Sequence, residues 1–278
     1  MAKLILVTGQ KGGVGKTTFA LWLMGMLTKL RLLWSGIDTD LANQTFAALG
    51  GDNVEPISIL EADGFFDPNA MNMLVDDLAA KAHTEETIII DVAAGLLPAI
   101  FAQMRARQLF GSTCIIPTTI AYVLLNDDAS VSTLTQLVDI ADEIAGVSWL
   151  IVLNERDGRV AQYLDDSPAQ AAMMQRHAEQ LTIPALRDPA VLLALRNSQL
   201  NPIAFCADDS GQPWSLRGQL RTWLNRIEPS FHEHRHLLAA TAIDEEGQPV
   251  LAHAAAAPEM AAQPAPATRA RTRRKIAV

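Results

Sequence analysis

The stretch Gln10-Lys11-Gly12-Gly13-Val14-Gly15-Lys16-Thr17-Thr18 follows directly on an apolar run, Leu4-Ile5-Leu6-Val7. The order reads as a buried strand running into a glycine-rich turn that opens a helix. Gly12, Gly13 and Gly15 let the backbone fold tightly and turn its N–H groups inward. The helix N-terminus behind them adds partial positive charge, so the cradle, with Val14 and Thr18 inside it, suits a polyphosphate. Lys16 has the reach to contact terminal phosphates, and the Thr17 hydroxyl suits Mg²⁺. The template G-x-x-x-x-G-K-[ST] places a glycine at position 10, where this chain has glutamine. A second lysine, Lys11, stands at the start of the loop instead.

Apolar runs recur along the chain at Lys3–Thr8, Leu32–Asp38, Thr87–Asp91, Ser112–Pro117 and Ser148–Asn154. Helical stretches separate them, roughly Thr17–Leu30, Asn69–Ala82, Leu97–Arg107 and Ala129–Glu143. Continuous apolar strands alternating with helices predict an α/β fold with a mostly parallel sheet covered on both faces. Ligands on such sheets sit at the carboxyl ends of the strands, where the glycine loop, Asp38, Asp91 and Asn154 all fall. A further helix is expected over Pro168–Gln180, short elements around Ile183–Asn197, and a helix over Trp214–Ile227 with Leu216, Leu220, Trp223, Leu224 and Ile227 on one face. Its arginines, Arg217, Arg221 and Arg226, read as a solvated face.

The chain has 278 residues, 49% of them hydrophobic, which is enough for one large domain with a substantial core. No apolar run reaches the ~18–20 residues of a membrane span, and no secretory leader is read, so a cytoplasmic protein without a membrane partner is expected. The two cysteines, Cys114 and Cys206, read as reduced core thiols. The formal charge of −9 is uneven: residues 251–278 hold Arg269, Arg271, Arg273, Arg274 and Lys275 against Glu259 alone, a local sum of +4. The Ala/Pro-rich run before that cluster has no large side chains with which to build a core. The expected division is a P-loop domain over 1–238 and a flexible, disordered tail over 239–278 that carries a basic cluster.

Two strand ends bring carboxylates to complement the loop. Asp38 and Asp40 end the second strand, where a carboxylate can orient an attacking water or hold a metal-bound one. Ile88-Ile89-Ile90-Asp91 is a hydrophobic strand ending in one aspartate, the Walker B pattern, and Asp91 is expected to reach Mg²⁺ through a water.

The pairing K-G-G-x-G-K-T resembles the deviant Walker A motif of the ParA/MinD family of ATPases. That resemblance covers residues 1–154 with specific motifs and residues up to about 233 in layout only. It implies ATP and Mg²⁺ as ligands, bound by Lys11, Gly12, Gly13, Val14, Gly15, Lys16, Thr17 and Thr18. The metal site would comprise Thr17, Asp91 and, as a supporting carboxylate, Asp38. It implies that Lys11 reaches across an ATP-dependent homodimer to the partner's nucleotide. Asp40 would align the hydrolytic water, and Gly95 would sense the γ-phosphate from the second switch. Cys114-Ile115-Ile116-Pro117-Thr118 matches a family strand that ends in a Pro-Thr step. Asn154 falls where the family places an adenine-binding asparagine. Asn154-Glu155-Arg156-Asp157 also echoes the N-K-x-D signature of GTPases, but Glu155 replaces the lysine, so ATP is expected over GTP.

The function implied is a slow Mg-ATP-dependent dimerisation switch, stimulated by a partner protein, that positions or segregates DNA in plasmid or mobile-element partition. The basic tail would supply sequence-independent DNA contact. Alternatives are a MinD-like positioning ATPase for a division, conjugation or secretion apparatus, and a metabolic ATP-dependent ligase of the same fold.

Overall fold

The computed structural model describes residues 1–40, 43–61, 65–84, 86–107, 116–141 and 147–240. The chain runs β1 (Lys3–Thr8), α1 (Lys16–Lys29), β2 (Trp34–Asp38), α2 (Thr45–Gly50), β3 (Val54–Pro56), α3 (Pro68–Lys81), β4 (Thr87–Asp91), α4 (Leu97–Ala106) and β5 (Thr118–Leu124). It continues through α5 (Asp128–Ala141), β6 (Val147–Asn154), α6 (Ala161–Leu164), α7 (Pro168–Gln175), β7 (Glu179–Ile183), α8 (Pro189–Ser198), α9 (Pro202–Cys206), α10 (Trp214–Glu233) and α11 (Arg235–Leu238). The seven strands form one sheet in the order β3-β2-β4-β1-β5-β6-β7. Every neighbouring pair is parallel.

The period of two along each strand sorts side chains onto two cores. Leu4 and Leu6 of β1, Ile88 and Ile90 of β4, and Ile120, Tyr122 and Leu124 of β5 pack with α3, α4, α5 and α7 on one face. Ile5 and Val7, Ile89, and Ala121 and Val123 point the other way, onto α1, α2 and α8 to α11. Helix α1 is buried almost all round, with Phe19, Ala20, Trp22, Leu23 and Met24 sealed. It is sandwiched between the sheet and α10, where Trp22 meets Phe231 edge to face at 6.1 Å. The arrangement is the expected α/β one, with helices on both faces.

Three local expectations differ from what forms. The strand expected at Ser112–Pro117 lies at Thr118–Leu124, and Ile116 and Pro117 precede it. Residues 112–115, with Cys114, lie outside the described residues. Pro117 has no N–H for a ladder, and its carbonyl accepts from Leu4 N at 3.0 Å as the pairing begins, so Pro-Thr opens the strand instead of ending it. The helix expected over Pro168–Gln180 stops at Gln175. His177 takes a left-handed φ of 52°, and Glu179–Ile183 becomes edge strand β7 with Leu181 and Ile183 facing the core. Arg217 is not on a wet face: its side chain is 13% exposed and binds Asp208 at 2.8 Å and the Ala207 carbonyl at 2.9 Å, tying the α9–α10 turn. Cys206 is a free, buried thiol as expected. Of the tail expected over 239–278, Ala239 is buried against the core and Ala240 N donates to Thr87 Oγ1 at 2.8 Å, while residues 241–278, with the basic cluster, lie outside the described residues. Among the described residues, no helix is long and apolar enough to cross a membrane.

Gly36 in β2 marks a tight contact near the site end of the sheet. A Cβ there would lie 2.7 Å from Phe46 Cε1 and 2.8 Å from Val54 Cγ2. Gly36→Ala is expected to destabilise the fold by about 1–3 kcal/mol through overpacking. Combining it with Phe46→Leu should cost less than the sum of the two single changes in urea unfolding; strict additivity would refute the contact as the cause.

Candidate functional site

The strand ends of β1, β2, β4 and β6 deliver the site residues to one edge of the sheet. Register pairs Asp38 with Asp91 and Val7 with Asp91, so both carboxylates flank the root of the glycine loop. The loop needs its glycines where the backbone turns left-handed: Gly13 has φ 77° and Gly15 φ 100°. Gly15 also has no room, because a Cβ there would stand 2.2 Å from Asn154 Nδ2, whereas Gly12 and Gly13 face open space. Gly15 is the residue before α1, whose first residue is Lys16.

Lys16 is 7% exposed. Burial lowers its pKa, while the nearby charges of Asp91 and Asp40 pull it back up. Thr17 Oγ1 donates to Asp91 Oδ2 at 2.6 Å. The other oxygen of that carboxylate, Oδ1, is buried and has no hydrogen-bond partner. An orphaned carboxylate oxygen beside a hydroxyl, both at the mouth of a phosphate loop, fits a hard divalent cation held through water. Thr17 and Asp91 therefore suit Mg²⁺ as the sequence suggests.

Asp38 is engaged differently. Its Oδ1 accepts from Asp40 N and its Oδ2 from Ala47 N, both at 3.0 Å. Burial raises its pKa and these backbone donors oppose the rise. It anchors the segment that leads into α2, and its charge in turn raises the pKa of Asp91. Asp40 is half-buried, with Asn43 Nδ2 at 3.3 Å from Oδ2. Lys16, Thr17, Asp38, Asp40 and Asp91 thus converge on one cluster.

Lys11 stands apart from that cluster. Its side chain is 53% exposed and pairs with Asp127 at 3.0 Å. Asn154 is buried, its Nδ2 donates to the Val14 carbonyl at 2.8 Å, and its Oδ1 accepts from Arg156 N at 3.2 Å. Both polar ends of this side chain are engaged with backbone.

Two residues of the site, Arg156 and Asp127, were given no role by sequence reasoning. Arg156 Nη1 donates to the Gly13 carbonyl at 2.8 Å, so Asn154 and Arg156 hold two consecutive loop carbonyls outward. The same guanidinium clasps Asp157 through Nε at 2.9 Å and Nη2 at 2.5 Å, which holds the Asp157 carboxyl below its ordinary pKa. Asp127, the partner of Lys11, lies just past β5 and was hidden by the displacement of that strand. Gln10 places its side-chain oxygen 3.8 Å from where a Cβ on Gly95 would sit, and Gly95 has φ 79°.

Asp91 is fully buried, and its pKa is raised to about 7, chiefly by desolvation and less by Asp38. The unfolded chain releases this proton near the ordinary carboxylate value, so between the two values the folded state binds more protons and Asp91 lowers stability as pH rises. Asp91→Asn should therefore stabilise the metal-free protein at pH 8, by up to about 4 kcal/mol, and have little effect at pH 4. The same substitution should abolish stabilisation by Mg²⁺ with nucleotide. Thermal unfolding at both pH values, in EDTA and then with Mg-ADP, checks both parts.

A family model described as "CobQ/CobB/MinD/ParA nucleotide binding domain" matches residues 5–181. No curated protein matches the chain. Among solved structures, the septum site-determining protein MinD complexed with Mg-ADP from Pyrococcus horikoshii OT3 is similar, with 17% identity and a TM-score of 0.50 over 82% of this chain and 96% of that one. The MinD cell division protein of Aquifex aeolicus has 16% identity and a TM-score of 0.47 over 80% and 97%. The Cyanothece McdA(D38A)-ATP complex has 14% identity and a TM-score of 0.45 over 81% and 95%. With the P-loop, the Walker B aspartate and the parallel sheet in place, the chain belongs to the CobQ/CobB/MinD/ParA nucleotide-binding family.

Proposed function

We propose that the protein is a Mg-ATP-dependent dimerisation switch that hydrolyses ATP slowly and positions DNA. The observation that carries the nucleotide part is the cluster in which Thr17 meets Asp91 at 2.6 Å, with Lys16 buried beside Asp91 and Asp40. Inward-turned loop amides and Lys16 would take the β- and γ-phosphates. Thr17 and Asp91 would hold Mg²⁺, which supplies charge neutralisation to the departing diphosphate. Asp40 would orient a water whose oxygen attacks the γ-phosphorus. The bond from that phosphorus to the β–γ bridging oxygen breaks, ADP leaves, and the water's proton ends on phosphate. Adenine is favoured over guanine because Glu155 stands where the GTPase signature carries its lysine. Asn154 would face adenine only by exchanging its bonds to the loop.

Exposure of Lys11 at the rim of the loop supports a role across a dimer interface. Lys11→Ala should bind Mg-ATP yet stay monomeric in size exclusion with a slowly hydrolysed analogue. Asp40→Ala should accumulate as dimer and turn over at least tenfold slower than the parent. A Lys11→Ala protein that dimerises like the parent would reduce the chain to an ordinary P-loop protein.

The DNA part rests on the five basic residues at 269–275 beyond an acidic body. If all five neutralise phosphates, log affinity for random duplex falls with log salt at a slope near −4.5. A chain ending at Val250 should lose that binding, and ATP should strengthen binding by the full chain by bringing two tails together. Equal binding by both chains would place the contact on the body. Binding by neither would favour a positioning role for a division, conjugation or secretion apparatus.

A further inference from the structure

Beyond the loop and its carboxylates, the two segments expected to respond to the γ-phosphate are joined by one buried side chain, Thr39. Its own N–H donates to the Asp91 carbonyl at 3.1 Å, and its hydroxyl donates to the same carbonyl at 3.0 Å. That hydroxyl also accepts from Ala93 N at 2.9 Å. Thr39 is 5% exposed. Main-chain pairing of β2 with β4 ends at Asp38 and Asp91, and Val92 N turns to β1, donating to Val7 O at 2.9 Å. Past this point the segments part around a cavity of about 210 Å³, walled by Thr39 and Asp40 on one side and Ala93 and Leu96 on the other. Among the described residues, the Thr39 hydroxyl makes the only hydrogen bond between residues 39–48 and residues 92–97.

We propose that Thr39 is a positioning residue whose hydroxyl couples the segment of Asp40 to the segment of Gly95, so that both move as one. Asp40 follows Thr39 directly, and Gly95 lies two residues beyond Ala93, so a shift on either side reaches the other within two peptide units. Asp40 N is itself held by Asp38, whose second oxygen takes Ala47 N. The link therefore extends from Ala93 through Thr39 to the start of α2. An aliphatic side chain at 39 would leave the half-buried Ala93 N–H without its acceptor. Serine keeps the bridge and loses only a methyl group. This role rests on the proposed ATP hydrolysis for its catalytic consequence, but the coupling is a property of the nucleotide-free chain.

The test compares Thr39→Val and Thr39→Ser with the parent in two measurements. In nucleotide-free protein, amide exchange at Ala93 and at Asn43, Gln44 and Ala47 should rise together, at least tenfold, in Thr39→Val and remain parent-like in Thr39→Ser. Thr39→Val should bind Mg-ADP within threefold of the parent and turn ATP over at least tenfold more slowly, with Thr39→Ser restoring turnover. Acceleration confined to Ala93 would overturn the coupling, as would a serine variant as impaired as the valine one. Thr39→Ala replaces the valine variant if circular dichroism shows that the latter does not fold. A parent that turns over no ATP would refute the hydrolytic function alone, because the exchange measurement still decides the coupling.

Discussion

A fully buried carboxylate, Asp91, with one oxygen bonded to Thr17 and the other to nothing, is the constraint around which the site end of the sheet is arranged. A lone anion at that depth would be very costly, and three features reduce the cost. Lys16 lies close enough to oppose the rise in pKa, the Thr17 hydroxyl donates directly, and proton uptake near pH 7 neutralises what remains. Each feature fixes part of the fold. Lys16 and Thr17 are the first two residues of α1, so the helix must begin there, and that start requires the left-handed turn at Gly15. Since Asn154 closes on Gly15, β6 must run on past the level of the end of β1, whose Thr8 aligns through Tyr122 with Ile151. The glycine loop, the helix start and three strand ends are thus mutually determined.

Much of this was legible in the sequence, because each signal was local. The loop needed only glycines and lysines at fixed spacing, and Asp38 and Asp91 needed only apolar runs before them. What was not legible depended on non-local pairing. Ile115-Ile116 looks as apolar as a strand, yet Thr118–Leu124 fills the central place beside β1, and no local pattern ranks the two. Asp127 was lost with that error. Pro168–Gln180 reads as one helix, but His177 turns left-handed, and edge pairing of Glu179–Ile183 with β6 outweighs helical propensity beyond it. Arg217 has the spacing of an exposed face, but Asp208, nine residues earlier, folds back to meet it.

The base side of the loop shows how one short segment serves several demands. Asn154 and Arg156, two residues apart around a single turn of tight helix, take the carbonyls of Val14 and Gly13. With its oxygens drawn outward, the loop keeps its N–H groups available for an anion, which glycine freedom alone would not guarantee. The Arg156 fork also pairs with Asp157, so one guanidinium ties the loop carbonyl of Gly13 to the turn that follows β6.

Lys11 poses the opposite problem from Lys16: it must be reachable without being committed. In the single chain it pairs with Asp127, but the two side chains are 53% and 30% exposed. Ion pairs of that kind contribute about 0–1 kcal/mol. A charge-assisted hydrogen bond to a phosphate in a water-poor interface contributes about 1.5–3 kcal/mol. Under the proposed switch, Asp127 is therefore a resting place weak enough to leave. It keeps the lysine ordered near the rim of the loop without competing with a partner's nucleotide. A buried Lys11–Asp127 pair would invert that balance and hold the loop in its unpartnered state. Under that proposal, the exposure of this contact, in contrast to the depth of Lys16, would allow two lysines five residues apart to take different tasks.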